Sequence, residues 1–150
     1  LNAWLIDTGK PTSTTGQCVE HVKQYWADDK KCWKQFKQVT QKLVHDWVEE
    51  DSLAFKKGIR TNQQHLFKLG VVPSKVQTFI DQLESQYHAA SKICGAGSVS
   101  GDNAGIVLCI SETPPYALCE SYGYECQPLH LQTKGIECHV IEETANPKAL

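Results

Sequence analysis

SKICGAGSVSGDNAGIVLCI, residues 91–110, is the stretch that decides the fold this sequence predicts. A short apolar run enters a glycine-rich segment, and a second apolar run, 106–110, leaves it. Two apolar runs bounded by glycines predict two buried strands joined by a loop. The glycines would let successive N–H groups converge into an anion-binding concavity. A flexible hairpin connection is the alternative, because the loop has neither the P-loop sequence nor a GxGxxG pattern.

The composition indicates one ordinary domain. The chain has 150 residues, of which 41% are hydrophobic and 21% charged, which is enough for a sizeable core. Its net charge of −2 gives no electrostatic reason to expect a nucleic acid or an anionic membrane as a partner. No apolar run approaches the length of a membrane span, and no signal peptide is visible.

The cysteine and methionine content indicates a compartment and an origin. The seven cysteines form no CxxC pair, and most of them lie in apolar periodic runs, where a free thiol behaves as a small core residue. This pattern predicts reduced thiols and a cytoplasmic location. The sequence contains no methionine and opens within an apolar run, so we expect it to be a piece of a larger protein.

The chain before the glycine loop predicts one strand and four helices. The strand is 4–6, ended by a turn at 7–9. Apolar residues at three- and four-residue spacing then predict four amphipathic helices. Their apolar positions span 18–26, 33–48, 55–69 and 76–83. Gly70 stops the third helix.

Two capping boxes mark helix starts. Thr14 with Gln17 opens the first helix, and Ser74 with Gln77 opens the fourth. In a capping box the hydroxyl accepts a hydrogen bond from the N–H three residues later, and the glutamine side-chain oxygen accepts one from the N–H of the cap residue.

The chain after the loop completes the fold. Thr113-Pro114 predicts a helix with proline at its first position, and Gly123 predicts its end. Strands are predicted at 124–131 and 135–141, and a loose tail at 142–150. This order predicts an α+β fold, a ferredoxin-like split βαβ antiparallel sheet with additional helices inserted after the first strand.

Three stretches carry a resemblance to a known family. Residues 6–14 read IDTGKPTST, a strand followed by lysine, proline and threonine ahead of a helix. Residues 62–71 read NQQHLFKLGV, and residues 91–97 read SKICGAG, like a Ser-Lys-Leu-Thr that precedes Gly-Ala-Gly. In this order they resemble the C-terminal half of the GHMP kinases, and mevalonate kinase most closely, over about residues 4–140.

The resemblance implies an activity, cofactors and partners. GHMP kinases transfer the γ-phosphate of ATP to a hydroxyl, here that of mevalonate, a step in isoprenoid precursor synthesis. Their phosphate loop, magnesium-binding glutamate and catalytic aspartate belong to an N-terminal domain, which would mainly bind ATP and Mg²⁺. Residues 1–150 would then form a single C-terminal domain with no catalytic residue, inactive alone. Its partners would be that N-terminal kinase domain and a small-molecule substrate, and a homodimer stays open.

The resemblance also marks site residues. In the family the third-motif loop lies beside the phosphate-bearing cleft, which points to Gly95, Ala96 and Gly97. Gly97 is expected at positive φ, and substitutions there are expected to act mainly on catalysis or nucleotide-side affinity, because a surface loop contributes little to the core. Thr14 matches the family threonine near the substrate and the transferred phosphate, and its alternative role is the helix cap.

The segment 98–104, SVSGDNA, departs from the family, which continues with more glycines. Asp102 would bring a negative charge beside phosphates unless it points away or toward a metal, so the role of this segment stays open. Lys10 and Lys92 face either phosphate or solvent, whereas turn formation is favoured for Asp7.

Histidine and cysteine positions near the chain end give no zinc spacing, and a structural role is favoured for His65. The positions in question are His130, Cys138 and His139.

Two other functions remain open. One is a free-standing, non-catalytic binding or regulatory module with the same fold, and the other is a kinase for another small alcohol such as phosphomevalonate.

Overall fold

The computed structural model describes residues 1–132 and 134–139. The elements in chain order are β1 (Ala3–Asp7), α1 (Thr15–Trp26), α2 (Lys30–Val48), α3 (Ser52–Leu69), α4 (Ser74–Tyr87), β2 (Ala90–Ile93), β3 (Ile106–Ile110), α5 (Tyr116–Tyr122) and β4 (Glu125–Pro128). This order confirms the predicted α+β fold. Within the described residues, no helix has the length and hydropathy needed to cross a membrane.

The sheet has the order β2-β3-β1-β4, and every neighbouring pair is antiparallel. β1 and β2, which are joined through four helices, therefore run parallel with β3 between them. β3 and β4, which are joined through α5, likewise run parallel with β1 between them. These two interleaved units are the split βαβ arrangement that the sequence predicts.

The larger core cluster lies between one face of the sheet and the helices, and a smaller one joins Ile59 of α3 to Ala90 and Ile110, strand positions of the opposite alternation. Alternate strand residues point to opposite faces, and Ile6 and Val107 are fully buried on the helix-covered face. Phe79 of α4 is also fully buried, with its ring 5.0 Å from that of Tyr122 and 4.9 Å from that of Tyr124. Burial of each large apolar side chain stabilises the fold by about 1.5–3 kcal/mol, so this cluster fixes α4 and α5 on the sheet.

All seven cysteines are free thiols. Four of them are buried, Cys18, Cys32, Cys109 and Cys119. Burial, and after it the neighbouring Cys126, raises the pKa of Cys119 to about 12. Cys94 and Cys138 are exposed. The prediction of core thiols is therefore confirmed for the four buried residues.

The second predicted capping box is wrong. α4 begins at Ser74 itself, Pro73 occupies the cap position, and the helix has no side-chain cap bond. The Gln77 side chain is engaged elsewhere. Its oxygen accepts a hydrogen bond from Gln63 Nε2 at 2.9 Å, and its nitrogen donates to Asp81 Oδ1 at 2.8 Å.

The C-terminal part differs from prediction in three respects: the start of α5, the length of β4 and the strand expected at 135–141. α5 begins at Tyr116 and not at Pro114, because a residue that precedes a proline is disfavoured in the helical region. β4 is shorter than the predicted 124–131. Residues 135–139 are not in a strand, and the fully exposed Ile136 shows that their alternating pattern covers no apolar surface. Residues 140–141 and the predicted loose tail, 142–150, lie outside the described residues.

Candidate functional site

An open cleft of about 410 Å³ lies at the end of the sheet where β1 and β2 end and β3 begins. One wall is the connection between β1 and α1, and the other is the glycine loop. The lining residues are Pro11, Ser13, Thr15, Cys94, Gly95, Ala96, Gly97, Ala104, Gly105 and Ile106. The fold thus brings together the first and the third stretches of the family resemblance.

The α1 wall of the cleft begins with the predicted capping box, which is confirmed. The Gln17 N–H donates to Thr14 Oγ1 at 3.2 Å, and the Thr14 N–H donates to Gln17 Oε1 at 2.8 Å. Thr14 is exposed, and its neighbours Ser13 and Thr15, rather than Thr14, line the cleft. The N–H groups of Thr15 and Gly16 lie in the first turn, where a helix offers no internal acceptor and favours an anion.

Gly97 anchors the glycine loop to the core. It is buried with φ of 72°, which confirms the expected positive φ. A methyl group there would overlap the carbonyl oxygen of Val71 and would lie 2.9 Å from Ile93 Cδ1. The same Val71 oxygen accepts the Ser98 N–H at 2.9 Å, and the Cys18 thiol donates to the Gly97 oxygen at 3.6 Å.

Gly95 and Ala96 form the open part of the loop. A Cβ on Gly95 would have no neighbour within 4 Å, so the glycine leaves free space in the cleft. In the described part of the chain, no backbone acceptor receives the N–H of Gly95 or Ala96. These groups and the first turn of α1 therefore offer donors to a bound anion.

Segment 98–104, which departs from the family pattern, is bound by serine hydrogen bonds to the connection between β1 and α1. The Ser13 N–H donates to Ser98 Oγ at 3.0 Å, and Ser98 Oγ donates to the carbonyl oxygen of Ser100 at 2.7 Å. The Val99 N–H donates to Ser13 Oγ at 3.2 Å, and that oxygen lies 3.1 Å from Ser100 Oγ. Sequence reasoning missed these serines, because nothing local distinguishes them from other loop serines.

The far end of the same segment is bound to the end of β1. The Ala104 N–H donates to Thr8 Oγ1 at 3.0 Å, and Thr8 Oγ1 donates to the Gly105 oxygen at 2.7 Å. Asn103 Nδ2 donates to the carbonyl oxygen of the exposed Lys10 at 3.3 Å. With both ends fixed, the segment closes the cleft wall rather than extending freely from it.

Asp102 lies away from the cleft. Its side chain is exposed and is absent from the cleft lining. Burial, and after it the charges of Tyr122 and Asp102, raises the pKa of Tyr124, a residue of the α5–β4 connection. The Asp102 charge thus affects the pKa of a residue in that connection.

The other charged candidates also lie outside the cleft lining. Asp7 Oδ1 accepts the Gly9 N–H at 2.8 Å, the turn-forming role favoured from the sequence. Lys92 is half-buried, burial lowers its pKa, and its Nζ donates to the Ile93 oxygen at 2.7 Å. His65 packs against an aromatic ring of α2, with 5.4 Å between ring centroids.

The donors of this cleft fit phosphate oxygens and do not fit a magnesium ion. Mg²⁺ prefers carboxylate and other oxygen ligands, and no carboxylate is among the lining residues. Over 1–132 and 134–139, no three histidine, cysteine, aspartate or glutamate side chains group as they would to hold a metal ion.

No protein-family model and no curated protein matches the sequence. Solved structures, in contrast, match its fold. The Lin0012 protein from Listeria innocua shares 21% identity over 85% of this chain, with a TM-score of 0.71. Streptococcus pneumoniae phosphomevalonate kinase, in complex with phosphomevalonate and AMPPNP, shares 13% over 85%, with a TM-score of 0.67. The chain has the fold of part of a GHMP kinase.

A third structure with the GHMP kinase fold is L. major mevalonate kinase in complex with R-mevalonate. It shares 14% identity over 81% of this chain, with a TM-score of 0.65. The chain spans only 38%, 40% and 37% of the Listeria, pneumococcal and L. major chains, respectively. At these identities the likeness concerns the fold, and the ligands belong to those proteins.

Proposed function

We propose that this chain is the C-terminal domain of a mevalonate kinase-like enzyme that transfers the γ-phosphate of ATP to the hydroxyl of mevalonate. The observation that carries the proposal is the cleft in which the glycine loop faces the first turn of α1. Because phosphoryl transfer depends on positioning and on electrostatic stabilisation of phosphate oxygens, N–H donors that have no backbone acceptor among the described residues suit it. The free thiols are in keeping with a cytoplasmic location.

Each part of the cleft has a role in this proposal. The N–H groups of Gly95, Ala96 and Thr15 would donate to phosphate oxygens, and Gly97 would hold the loop in place. Thr14 Oγ1 accepts one hydrogen bond in its cap, which leaves its O–H free to donate to substrate or phosphate. ATP and Mg²⁺ would be held mainly by an N-terminal domain, which would also supply the catalytic aspartate.

A leucine at Gly95 tests the cleft directly. Neither Gly95 nor the control Gly135 has a positive φ or a neighbour within 4 Å of an added Cβ, so either glycine can be replaced without strain. In the intact enzyme, Gly95→Leu should lower kcat/KM for ATP at least about tenfold, or about 1.4 kcal/mol. Gly135→Leu should leave it unchanged, and both variants should melt like the wild type. Unchanged kinetics in Gly95→Leu would contradict the phosphate role of the cleft.

Phosphomevalonate is a second candidate substrate, because the fold matches the phosphomevalonate and mevalonate kinases almost equally well. Comparing kcat/KM for mevalonate and for phosphomevalonate in the intact enzyme decides between them. The 150-residue chain alone should phosphorylate neither, and robust turnover by the pure chain would overturn its assignment as a dependent domain. An intact protein that folds but phosphorylates neither compound would support the non-catalytic module.

A further inference from the structure

Two of the free thiols, Cys119 of α5 and Cys126 of β4, meet where that helix packs on the sheet. Gly123 ends α5 in a left-handed conformation, and the Tyr124 N–H donates back to the Cys119 oxygen at 2.9 Å. This reversal of the chain starts β4 beside the helix that precedes it. Cys126 pairs with the fully buried Ile6 of β1, and residues paired in a sheet point to the same face. The Cys126 side chain therefore points into the core that α5 covers.

The two thiols contact each other, and the contact is unsymmetrical. The Cys119 S–H donates a hydrogen bond to Cys126 Sγ. Burial raises the pKa of Cys126, and this hydrogen bond lowers it in part, because it stabilises the thiolate. Cys119 is only 1% exposed, whereas Cys126 is half-buried. Cys126 is thus the thiol that a reagent in solution can reach, and Cys119 is the thiol held directly behind it.

We propose that Cys119 and Cys126 form a redox modification site, at which a low-molecular-weight disulfide such as oxidised glutathione converts the two thiols into an intrachain disulfide. In the first step the Cys126 thiolate attacks one sulfur of the reagent, whose S–S bond breaks, and one glutathione leaves as its thiolate. In the second step the Cys119 thiolate attacks Cys126 Sγ and displaces the other glutathione. The chain loses two electrons and two protons, and oxidised glutathione takes up both and becomes two glutathione molecules.

Core packing is the alternative role of these cysteines, because a buried thiol also behaves as a small apolar side chain. The contact between two thiols, one of them within reach of solvent, favours the redox role for this pair. Two other cysteines differ in both respects. Cys18 and Cys109 are buried, and their S–H groups donate to a backbone oxygen at 3.6 Å and to a serine hydroxyl at 3.7 Å, respectively. The geometry thus favours one disulfide, between the end of α5 and the edge strand β4.

The test treats the folded chain with millimolar oxidised glutathione, alkylates the remaining thiols in denaturant, and identifies the peptides by mass spectrometry after cleavage at glutamate. This cleavage places Cys119 in peptide 113–120 and Cys126 in peptide 126–137, and it separates Cys109 from both. Peptides 113–120 and 126–137 should be joined at least about tenfold more often than either is joined to the Cys109 peptide. Dithiothreitol should separate them. A chain oxidised in denaturant is the control and should give mixed pairings, because the native contact is lost.

Three variants separate the two steps. Cys119→Ala leaves no thiol to displace the bound glutathione, so peptide 126–137 should accumulate as a mixed disulfide with glutathione. Cys126→Ala should leave the buried Cys119 reduced, and Cys109→Ala, the matched control, should form the disulfide as the wild type does.

The proposal is overturned if the two peptides stay separate in the folded wild type, or if the Cys109 peptide joins either of them as often. It is also overturned if Cys119→Ala takes up no glutathione at Cys126. Thermal melts show that each variant is folded before it is oxidised.

Discussion

Replacing Gly97 with alanine should destabilise the fold before it affects any chemistry. Alanine at a left-handed backbone position costs about 1–2 kcal/mol. The added methyl also overlaps the Val71 oxygen, so the bond from the Ser98 N–H must lengthen or break. A buried N–H left without its partner costs about 1–3 kcal/mol. The two terms together make the loss about 3 kcal/mol, which lowers the melting temperature by roughly 6–12 °C for a chain of this size.

The sequence placed the effect of substitutions at Gly97 mainly on catalysis or nucleotide-side affinity, on the premise that a surface loop contributes little to the core. That premise is wrong, because Gly97 is buried against the backbone of residue 71, whereas the effect on catalysis stays a prediction. Circular-dichroism melts of the wild type, Gly97→Ala and Gly95→Ala measure the effect. Gly95→Ala is the matched control, since its methyl meets nothing within 4 Å, and it should melt within about 1 °C of the wild type. A Gly97→Ala variant that melts as high as this control would refute the packing argument.

Three other outcomes are expected. Thr14→Val should lower the free energy of unfolding by about 1 kcal/mol because it removes the cap, and Thr14→Ser should leave that free energy unchanged. If Thr14→Val also lowers turnover in the intact enzyme, the hydroxyl contacts the substrate as well. Asp102→Asn, outside the cleft lining, should leave kcat and KM within about twofold of the wild type, and a loss of activity would place the functional part of the loop in 98–104. Iodoacetamide should alkylate Cys94 and Cys138 in the folded chain, as read by mass spectrometry, and should reach the four buried thiols only on unfolding, since burial raises their pKa.

Features that depend on neighbours in sequence were predicted well. The strands and helices follow from apolar periodicity, and the Thr14 capping box closes within three residues. The box at Ser74 has the same local pattern and does not form: the helix already includes Ser74, and Gln63 of α3 donates to the glutamine side chain that the box requires. A pattern within four residues cannot show that a side chain from another helix will compete for one of them.

In the candidate site too, features set by neighbouring residues were predictable and contacts between distant residues were not. The glycines and their positive φ were readable from sequence, since the loop has few other ways to turn. The contact of Gly97 with Val71 was not, because it depends on how the α3–α4 connection packs against the loop. The bond from the Ser13 N–H to Ser98 Oγ was likewise hidden, since it joins residues 85 positions apart.

The central position of β1 in the sheet has a consequence for how the chain folds. β1 precedes the other three strands of the sheet in the chain, yet both of its hydrogen-bonding edges are filled by strands from the last third of the described residues. The indole of Trp4, for example, donates to Ser111, 107 residues further along. Until those strands emerge, β1 is an apolar segment with two open edges, the kind of segment that associates with other chains. Assembly of the sheet, and with it the cleft, is therefore limited by the slow closure of long-range contacts.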